Sequence, residues 1–230
     1  MKSLIVNNHN LGFCDILDNL DIKKGDRIFL SSDVKRLTFY EYNRTGEIPD
    51  LNLFIDRILD KIGNTGSLIL PTYNWDFCHG ATFDWRKTKG KTGTLGNLCL
   101  QRNDFKRTKH PLYSYVVWGQ DKDYLCKIDF ISSFGKNSVF GFMDRNHYKH
   151  IMIDCDFNHA FTFLHYAEEK VSNLCYRFTK KFTSKYIDEY GKQSTKTYTM
   201  LVRNLLMDVE VEMTPFENDM INLGIAKKPL

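Results

Sequence analysis

The chain has 230 residues, 42 % hydrophobic and 14 % aromatic, and 32 Lys and Arg against 28 Asp and Glu leave a formal net charge of +4. That length and apolar content suit one large core, so a single domain over 1–230 is expected. No run of 18 apolar residues occurs, and residues 1–10 lack a charged segment followed by an apolar one, which argues against a membrane partner or export.

Six cysteines (Cys14, Cys78, Cys99, Cys126, Cys155 and Cys175) form no CxxC pair, and several lie in apolar stretches, the usage of buried reduced thiols. A reducing cytoplasm is therefore expected. Cys78-His79 and His147-x-x-His150 are the closest pairs of soft-ligand types, and with no second cluster at ligand spacing metal-independent chemistry is expected. Basic runs at 86–91, 101–109 and 180–185 suit solvated faces or an anionic ligand. No nucleic-acid-binding motif accompanies them, so no nucleic-acid partner is expected.

The first predicted element is a short helix at 15–20. Gly25-Asp26 then turns into Arg27-Ile28-Phe29-Leu30-Ser31-Ser32, an apolar strand ending in hydroxyls. Asp50 caps a helix whose apolar set Leu51, Phe54, Ile55, Ile58, Leu59 and Ile62 follows the 3.6 period, stopped by Gly63. Ser67-Leu68-Ile69-Leu70 is a fully apolar strand closed by Pro71-Thr72. The order strand, helix, strand predicts a right-handed crossover and a buried parallel sheet. Ligands of such sheets gather at the carboxyl ends of the strands, which here carry Ser31, Ser32 and Thr72.

Residues 74–92 lack periodicity and mix aromatics with alternating charges, the composition of a functional loop. Further strands are predicted at 113–118 and 150–155. Beyond Arg177 the chain is polar and aromatic, predicting an antiparallel hairpin around Gly191 and then a helix at 216–223.

Thr162-Phe163-Leu164-His165-Tyr166-Ala167-Glu168-Glu169 begins an amphipathic helix, with Thr162 as the expected N-cap. Positions i and i+3 share a face, so Glu168 can reach the His165 ring and fix its tautomer. The positive end of the helix dipole disfavours the imidazolium, whereas Glu168 favours it, so the pair would hold a proton only briefly. Taken alone, an HxxE pair is also what an ordinary surface helix carries.

Several segments in order resemble the aminoglycoside 3-N-acetyltransferase family. They are Gly25-Asp26 leading to Leu30-Ser31-Ser32, Gly66-Ser67-Leu68-Ile69-Leu70-Pro71-Thr72, Gly93-Thr94-Leu95-Gly96, His110-Pro111, Ser138-Val139-Phe140-Gly141 and Thr162-Phe163-Leu164-His165-x-x-Glu168. The resemblance covers roughly residues 20 to 180. It implies a three-layer α/β/α fold around a mostly parallel sheet, distinct from the GNAT acetyltransferases, with acetyl-CoA as cosubstrate. It further implies His165 as base oriented by Glu168, His110 as a second catalytic candidate at the acyl pocket, and Ser31, Ser32, Thr72, Gly93, Thr94, Leu95, Gly96, Ser138, Phe140 and Gly141 along the cofactor. A glycine turn such as 93–96 can approach a phosphate or pantetheine closely because nothing obstructs its backbone amides. A lone histidine before proline is more often structural than catalytic.

Two positions depart from the family. Leu30 stands where a His-Ser-Ser motif is usual, and the sequence runs only to Leu230, which implies a missing or rebuilt C-terminal substrate wall. For the acceptor, net basic charge disfavours a polycationic aminoglycoside and favours an anionic, nucleotide-linked (dTDP or UDP) amino sugar of polysaccharide synthesis. Tyr73, Trp75 and Asp76 are the candidate substrate contacts. An aminoglycoside acceptor and a non-catalytic CoA-binding module remain the alternatives; a hydrolase is disfavoured by the lack of Gly-x-Ser-x-Gly.

Overall fold

The computed structural model describes residues 3–6, 12–171 and 174–227, so most of the N-terminal stretch read above for a targeting signal lies outside the described residues. Among them the chain forms β1 (Ser3–Val6), a 3-10 helix (Asp15–Asn19), β2 (Arg27–Ser32), α1 (Lys35–Thr45), α2 (Leu51–Ile62) and β3 (Ser67–Pro71). A second 3-10 turn (Asp76–His79), β4 (Phe83–Asp84), α3 (Thr94–Cys99), β5 (Lys106–Arg107) and β6 (Tyr115–Gly119) follow. Then come α4 (Lys122–Lys127), α5 (Val139–Arg145), β7 (Lys149–Ile153), α6 (Phe157–Ala160) and α7 (Leu164–Lys170). The chain closes with β8 (Arg177–Ile187), β9 (Gln193–Arg203), α8 (Thr214–Asn222) and β10 (Ala226–Lys227).

Seven strands form the central sheet in the order β10-β1-β7-β2-β3-β6-β5. Its pairings from β10 to β3 are parallel, whereas β6 runs antiparallel to both β3 and β5, so the sheet is mixed. A buried strand reads as an apolar run in either direction, and the first three residues of β6 are buried, so its reversal left no mark in the sequence.

The strand period of two distributes the core over both faces. Ile28, Leu30, Leu68, Leu70, Val116, Ile151 and Ile153 pack on one side with the buried stripe of α2 and with Leu95 and Cys99 of α3. Phe29, Ile69, Tyr115 and Val117 pack on the other with Leu125, Phe140, Met143 and Tyr166 from α4, α5 and α7. These are the three layers. The stripe of α2, Phe54, Ile55, Ile58, Leu59 and Ile62, is entirely buried, each side chain contributing about 1.5–3 kcal/mol. Asp50 Oδ1 caps that helix by accepting from the Asn52 and Leu53 amides at 2.8 and 3.4 Å. By contrast α1 buries no residue, which explains why the apolar pattern did not announce it.

The smaller sheet, β4-β8-β9, is the expected hairpin joined by a short parallel strand from the 74–92 loop. Tyr186 and Tyr198 of the hairpin enter the same aromatic core as Tyr115 of the central sheet, so the two sheets share one interior. The 74–92 segment is anchored in turn by buried Arg107, whose guanidinium lies 4.7 Å from the Phe83 ring centroid and donates to the Trp85 and Thr88 carbonyls.

One glycine sets how closely α3 approaches the sheet. A Cβ at Gly96 would lie 2.2 Å from the Pro71 carbonyl oxygen, a backbone atom that cannot swing aside. Alanine is the better helix former by roughly 1 kcal/mol, yet forcing α3 off β3 costs about 1–3 kcal/mol. Gly96→Ala should therefore lower stability, read as a urea midpoint shifted down at unchanged slope; a midpoint at or above that of the parent would refute the close-approach argument.

Candidate active site

A cleft of about 1010 Å³ opens at the carboxyl ends of β2, β3 and β7. The chain leaves β2 toward β3 on one side, and β7 on the other side of β2 leads onward to β10, so the cleft sits where the connections diverge. Ser31 and Ser32 from β2, Pro71 and Tyr73 at the end of β3, Gly93 and Thr94 at the start of α3, and His165 of α7 all line it.

His165 is the second residue of α7, and its Nδ1 lies 2.7 Å from Glu168 Oε2. The expected N-cap role of Thr162 is not what forms: Phe163 occupies the cap position without a side-chain cap bond, and Thr162 lines the cleft instead. Glu168 is only 5 % exposed. Its second oxygen, Oε1, accepts from the Tyr176 hydroxyl at 3.0 Å and from Arg177 Nε at 2.9 Å. Burial alone would raise the Glu168 carboxyl, but the His165 hydrogen bond, the Arg177 charge and the Tyr176 hydroxyl outweigh it and hold the group below its ordinary value. Glu168 is therefore a carboxylate, and a carboxylate only accepts. The proton of the 2.7 Å contact must sit on Nδ1, which leaves Nε2 as the nitrogen not engaged by the carboxylate.

A second imidazole–carboxylate pair at the same spacing lines the cleft. His159 Nδ1 lies 2.6 Å from Asp156 Oδ1, which caps α6 by accepting from the His159 amide, but both side chains are exposed, His159 to 81 %. The His165 side chain is 26 % exposed, with the ring of Phe134 at 5.1 Å. Tyr73, Trp75 and Tyr113 form an adjoining aromatic wall, their centroids 4.7 to 6.4 Å apart, and Tyr113 is 4.7 Å from Phe134.

The other residues singled out from sequence divide between cleft and core. Thr72 is sealed beneath the cleft with Oγ1 2.9 Å from Ser114 Oγ, Leu95 is buried among the α2 stripe, and Gly96 faces Pro71. Asp76 lies beside the cleft in a smaller cavity of about 400 Å³ and pairs with Lys91, which borders both. Ser138 caps α5 by accepting from the Gly141 amide at 3.3 Å, Phe140 is in the aromatic core, and a Cβ at Gly141 would meet the Lys136 carbonyl oxygen. These three are not brought to the cleft; Ser138 borders a separate cavity of about 750 Å³.

His110 is likewise a core residue. It is fully buried, stacked on Phe130 at 4.9 Å, its Nδ1 accepts from the Tyr113 amide, and its Nε2 faces the Ile131 carbonyl. Burial pushes its pKa down to about 3, so it stays neutral and is placed to order the backbone rather than to touch a substrate. Sequence reasoning missed Tyr176 and Arg177 as partners of Glu168, because β8 returns to α7 without any local spacing signal. It also missed His150, whose Nε2 is 2.9 Å from Ser31 Oγ, because a histidine inside an apolar strand reads as core.

Cations and carboxylates both border the cleft: Lys35, Arg36 and Lys91 against Asp33, Asp154, Asp156 and Glu217. Arg36 is paired with Asp154. Among the described residues no group of three or more His, Cys, Asp or Glu is placed to hold a metal ion, and no helix is long and apolar enough to cross a membrane.

The family model for aminoglycoside 3-N-acetyltransferases matches residues 34–220. Among solved structures, YokD from Bacillus subtilis is 20 % identical with a TM-score of 0.67, the match covering 84 % of this chain and 81 % of YokD. The aminoglycoside acetyltransferase AAC(3)-Xa is 16 % identical with a TM-score of 0.71, covering 95 % of this chain and 83 % of that one. AAC-IIIb, solved as a binary complex with CoASH, is also 16 % identical with a TM-score of 0.71, covering 95 % and 86 %. At such identities these structures establish a shared fold. Comparison with curated proteins returned no match. The family match over most of the chain settles its relationship: it belongs to the aminoglycoside 3-N-acetyltransferase family and is an N-acetyltransferase.

Proposed function

We propose that this protein transfers the acetyl group of acetyl-CoA to the amine of an amino sugar bound in the same cleft, with His165 as general base. The observation that carries this reading is the buried Glu168 carboxylate, held by three donors and aimed at His165 Nδ1. Acetyl-CoA supplies the acetyl group as an activated thioester. The residues present suit it: hydroxyls of Ser32 and Thr94, the open Gly93 turn, and the cations Lys35, Arg36 and Lys91 for its phosphates.

Within that reading His165 Nε2 takes the proton of the attacking amine, Glu168 stabilises the imidazolium, and the same nitrogen returns the proton to the departing thiolate. Direct attack is favoured over an acyl-cysteine. Cys155 borders the cleft, but burial pushes its thiol up to about 12 and leaves little thiolate. A non-catalytic module is disfavoured by the clamp on Glu168, since burying a carboxylate beside an imidazole is costly in a site that does no chemistry.

For the acceptor, the favoured reading is an anionic nucleotide-linked amino sugar, supported by the net charge of +4 and by the Tyr73, Trp75 and Tyr113 wall, which offers ring faces for a base or sugar. The carboxylates Asp33, Asp154, Asp156 and Glu217 on the cleft wall favour a second reading, a polycationic aminoglycoside. We assign the work to a reducing cytoplasm, in keeping with six unpaired cysteines.

Purified protein with acetyl-CoA and a panel of aminoglycosides and dTDP- and UDP-amino sugars, followed by release of free thiol, is expected to turn over the nucleotide amino sugars with the higher kcat/KM. The opposite ranking selects the aminoglycoside reading, and thiol release without any acceptor would indicate hydrolysis. His165→Ala should lower kcat by about 10²- to 10⁴-fold while CoA still binds; full turnover by that variant would refute the assignment. Arg177→Gln should be less stable than the parent at pH 7 by about 3 kcal/mol, because it strips a buried carboxylate of its counter-charge. Glu168 has its native pKa lowered from 4.5, so the stability it contributes is present above pH 4.5 and is lost as pH falls through the lowered native value. The gap between variant and parent should therefore close on acidification, measured by urea unfolding at a series of pH values; a constant gap would show that Arg177 acts through packing alone.

A further inference from the structure

The base and its carboxylate leave unused a second histidine packed behind the cleft. His150 on β7 is fully buried and stacked with two near-parallel rings, Phe29 at 4.4 Å and Phe161 at 5.9 Å. It therefore cannot turn. Its Nε2 lies 2.9 Å from Ser31 Oγ, and its Nδ1, also buried, has no hydrogen-bond partner among the described residues. Phe29 and His150 are register partners, and Ser31 lies one pleat further along the same face of β2, at its carboxyl end, where it borders the cleft.

The orphaned nitrogen decides the tautomer. A buried N–H without an acceptor is rarer and costlier than a bare ring nitrogen, because the orphaned donor has nowhere to place its proton. The proton is best placed on Nε2, which then donates to Ser31 Oγ and occupies one of its lone pairs. Ser31 is left with its own O–H to give, and the open side of the residue is the cleft. The alternative, in which His150 accepts from Ser31 and activates it as a nucleophile, fails on the environment. No carboxylate backs Nδ1, and an apolar stack cannot host the imidazolium that proton abstraction would create.

We propose that His150 is a positioning residue whose Nε2–H fixes Ser31 so that the serine hydroxyl donates to the carbonyl oxygen of the acetyl thioester. A donor locked in advance is what stabilises oxygen charge that develops during acyl transfer, since no reorganisation is needed when it appears. The donor and the base are also built on connected packing. Phe161, stacked on His150, lies four residues before His165, so the segment that clamps the relay leads directly into the helix that carries the base. The inference rests on the cleft being the acetyl-CoA site.

The test uses acetyl-CoA labelled with carbon-13 at the acetyl carbonyl and bound to the full chain, read by NMR and isotope-edited infrared spectroscopy, with CoA affinity measured by calorimetry. In the parent protein the carbonyl signal should be displaced from that of free acetyl-CoA toward a hydrogen-bonded carbonyl. Ser31→Ala and His150→Leu should both lose most of that displacement at similar CoA affinity. His150→Gln, which keeps a donor near the position of Nε2, should restore much of it and guards against a folding defect in the leucine variant. With any acceptor that turns over, Ser31→Ala should lower kcat by about 100-fold with little change in the KM for acetyl-CoA. A displacement untouched by Ser31→Ala, a change confined to CoA affinity or KM, or an acetyl adduct on Ser31 by mass spectrometry would each overturn the proposal. Failure of the parent protein to bind CoA would instead overturn the cofactor reading beneath it.

Discussion

A buried carboxylate must be matched by donors or it will not stay charged, and Glu168 meets that requirement with groups from two separate parts of the fold. His165 comes from its own helix, one turn away; Tyr176 and Arg177 come from the start of β8. Because the second oxygen is fully engaged by the hairpin, the first is free to serve only the imidazole. The orientation of the His165 ring thus depends on residues at the entry to the smaller sheet. That sheet is in turn held by Tyr186 and Tyr198 in the interior it shares with Tyr115.

Charge at the cleft is arranged locally and does not follow the net charge of the chain. The overall +4 suggests an anionic partner, yet four carboxylates and three Lys or Arg residues line the walls. Some of these are already paired: Arg36 is bonded to Asp154, and Lys91 to Asp76 beside the cleft. A cofactor carrying phosphates would draw on the same cations that an anionic acceptor needs, which weakens net charge as a guide to the acceptor. The aromatic wall beside His165 bears more directly on that choice, because a ring face recognises a base or a sugar whatever their charge.

How far the fold could be read from sequence follows from burial. Helix α2 and strands β2 and β3 are buried enough that their apolar periods mark their positions, whereas α1, with no buried residue, carries no such stripe. Antiparallel β6 opens with three buried apolar residues, Tyr115, Val116 and Val117, and therefore reads as an apolar run like the parallel strands. At the site the i,i+3 pair was visible because helical spacing is local information. Its clamp was not, since Arg177 reaches Glu168 across a strand connection that no local pattern encodes. Ser138, Phe140 and Gly141 illustrate the opposite failure: a cap, a core ring and a tight packing glycine make a motif that looks like a binding loop while serving the framework of α5.

The histidines show why residue type and motif were not enough. His110 and His150 are sealed in the interior, and burial pushes both down to about 3, so neither can carry a proton at neutral pH whatever its neighbours. Each can still act through a fixed neutral hydrogen bond, His110 toward backbone and His150 toward Ser31. His159 has a carboxylate and solvent but no buried scaffold to hold the pair in one geometry. His165 combines an open face on the cleft with a carboxylate that is itself immobilised by Tyr176 and Arg177, the arrangement on which its proposed role rests. The same side chain is thus sealed in the interior at 110 and 150 and open to the cleft at 159 and 165, and what it can do depends on which of its two nitrogens meets water and what stands behind the other.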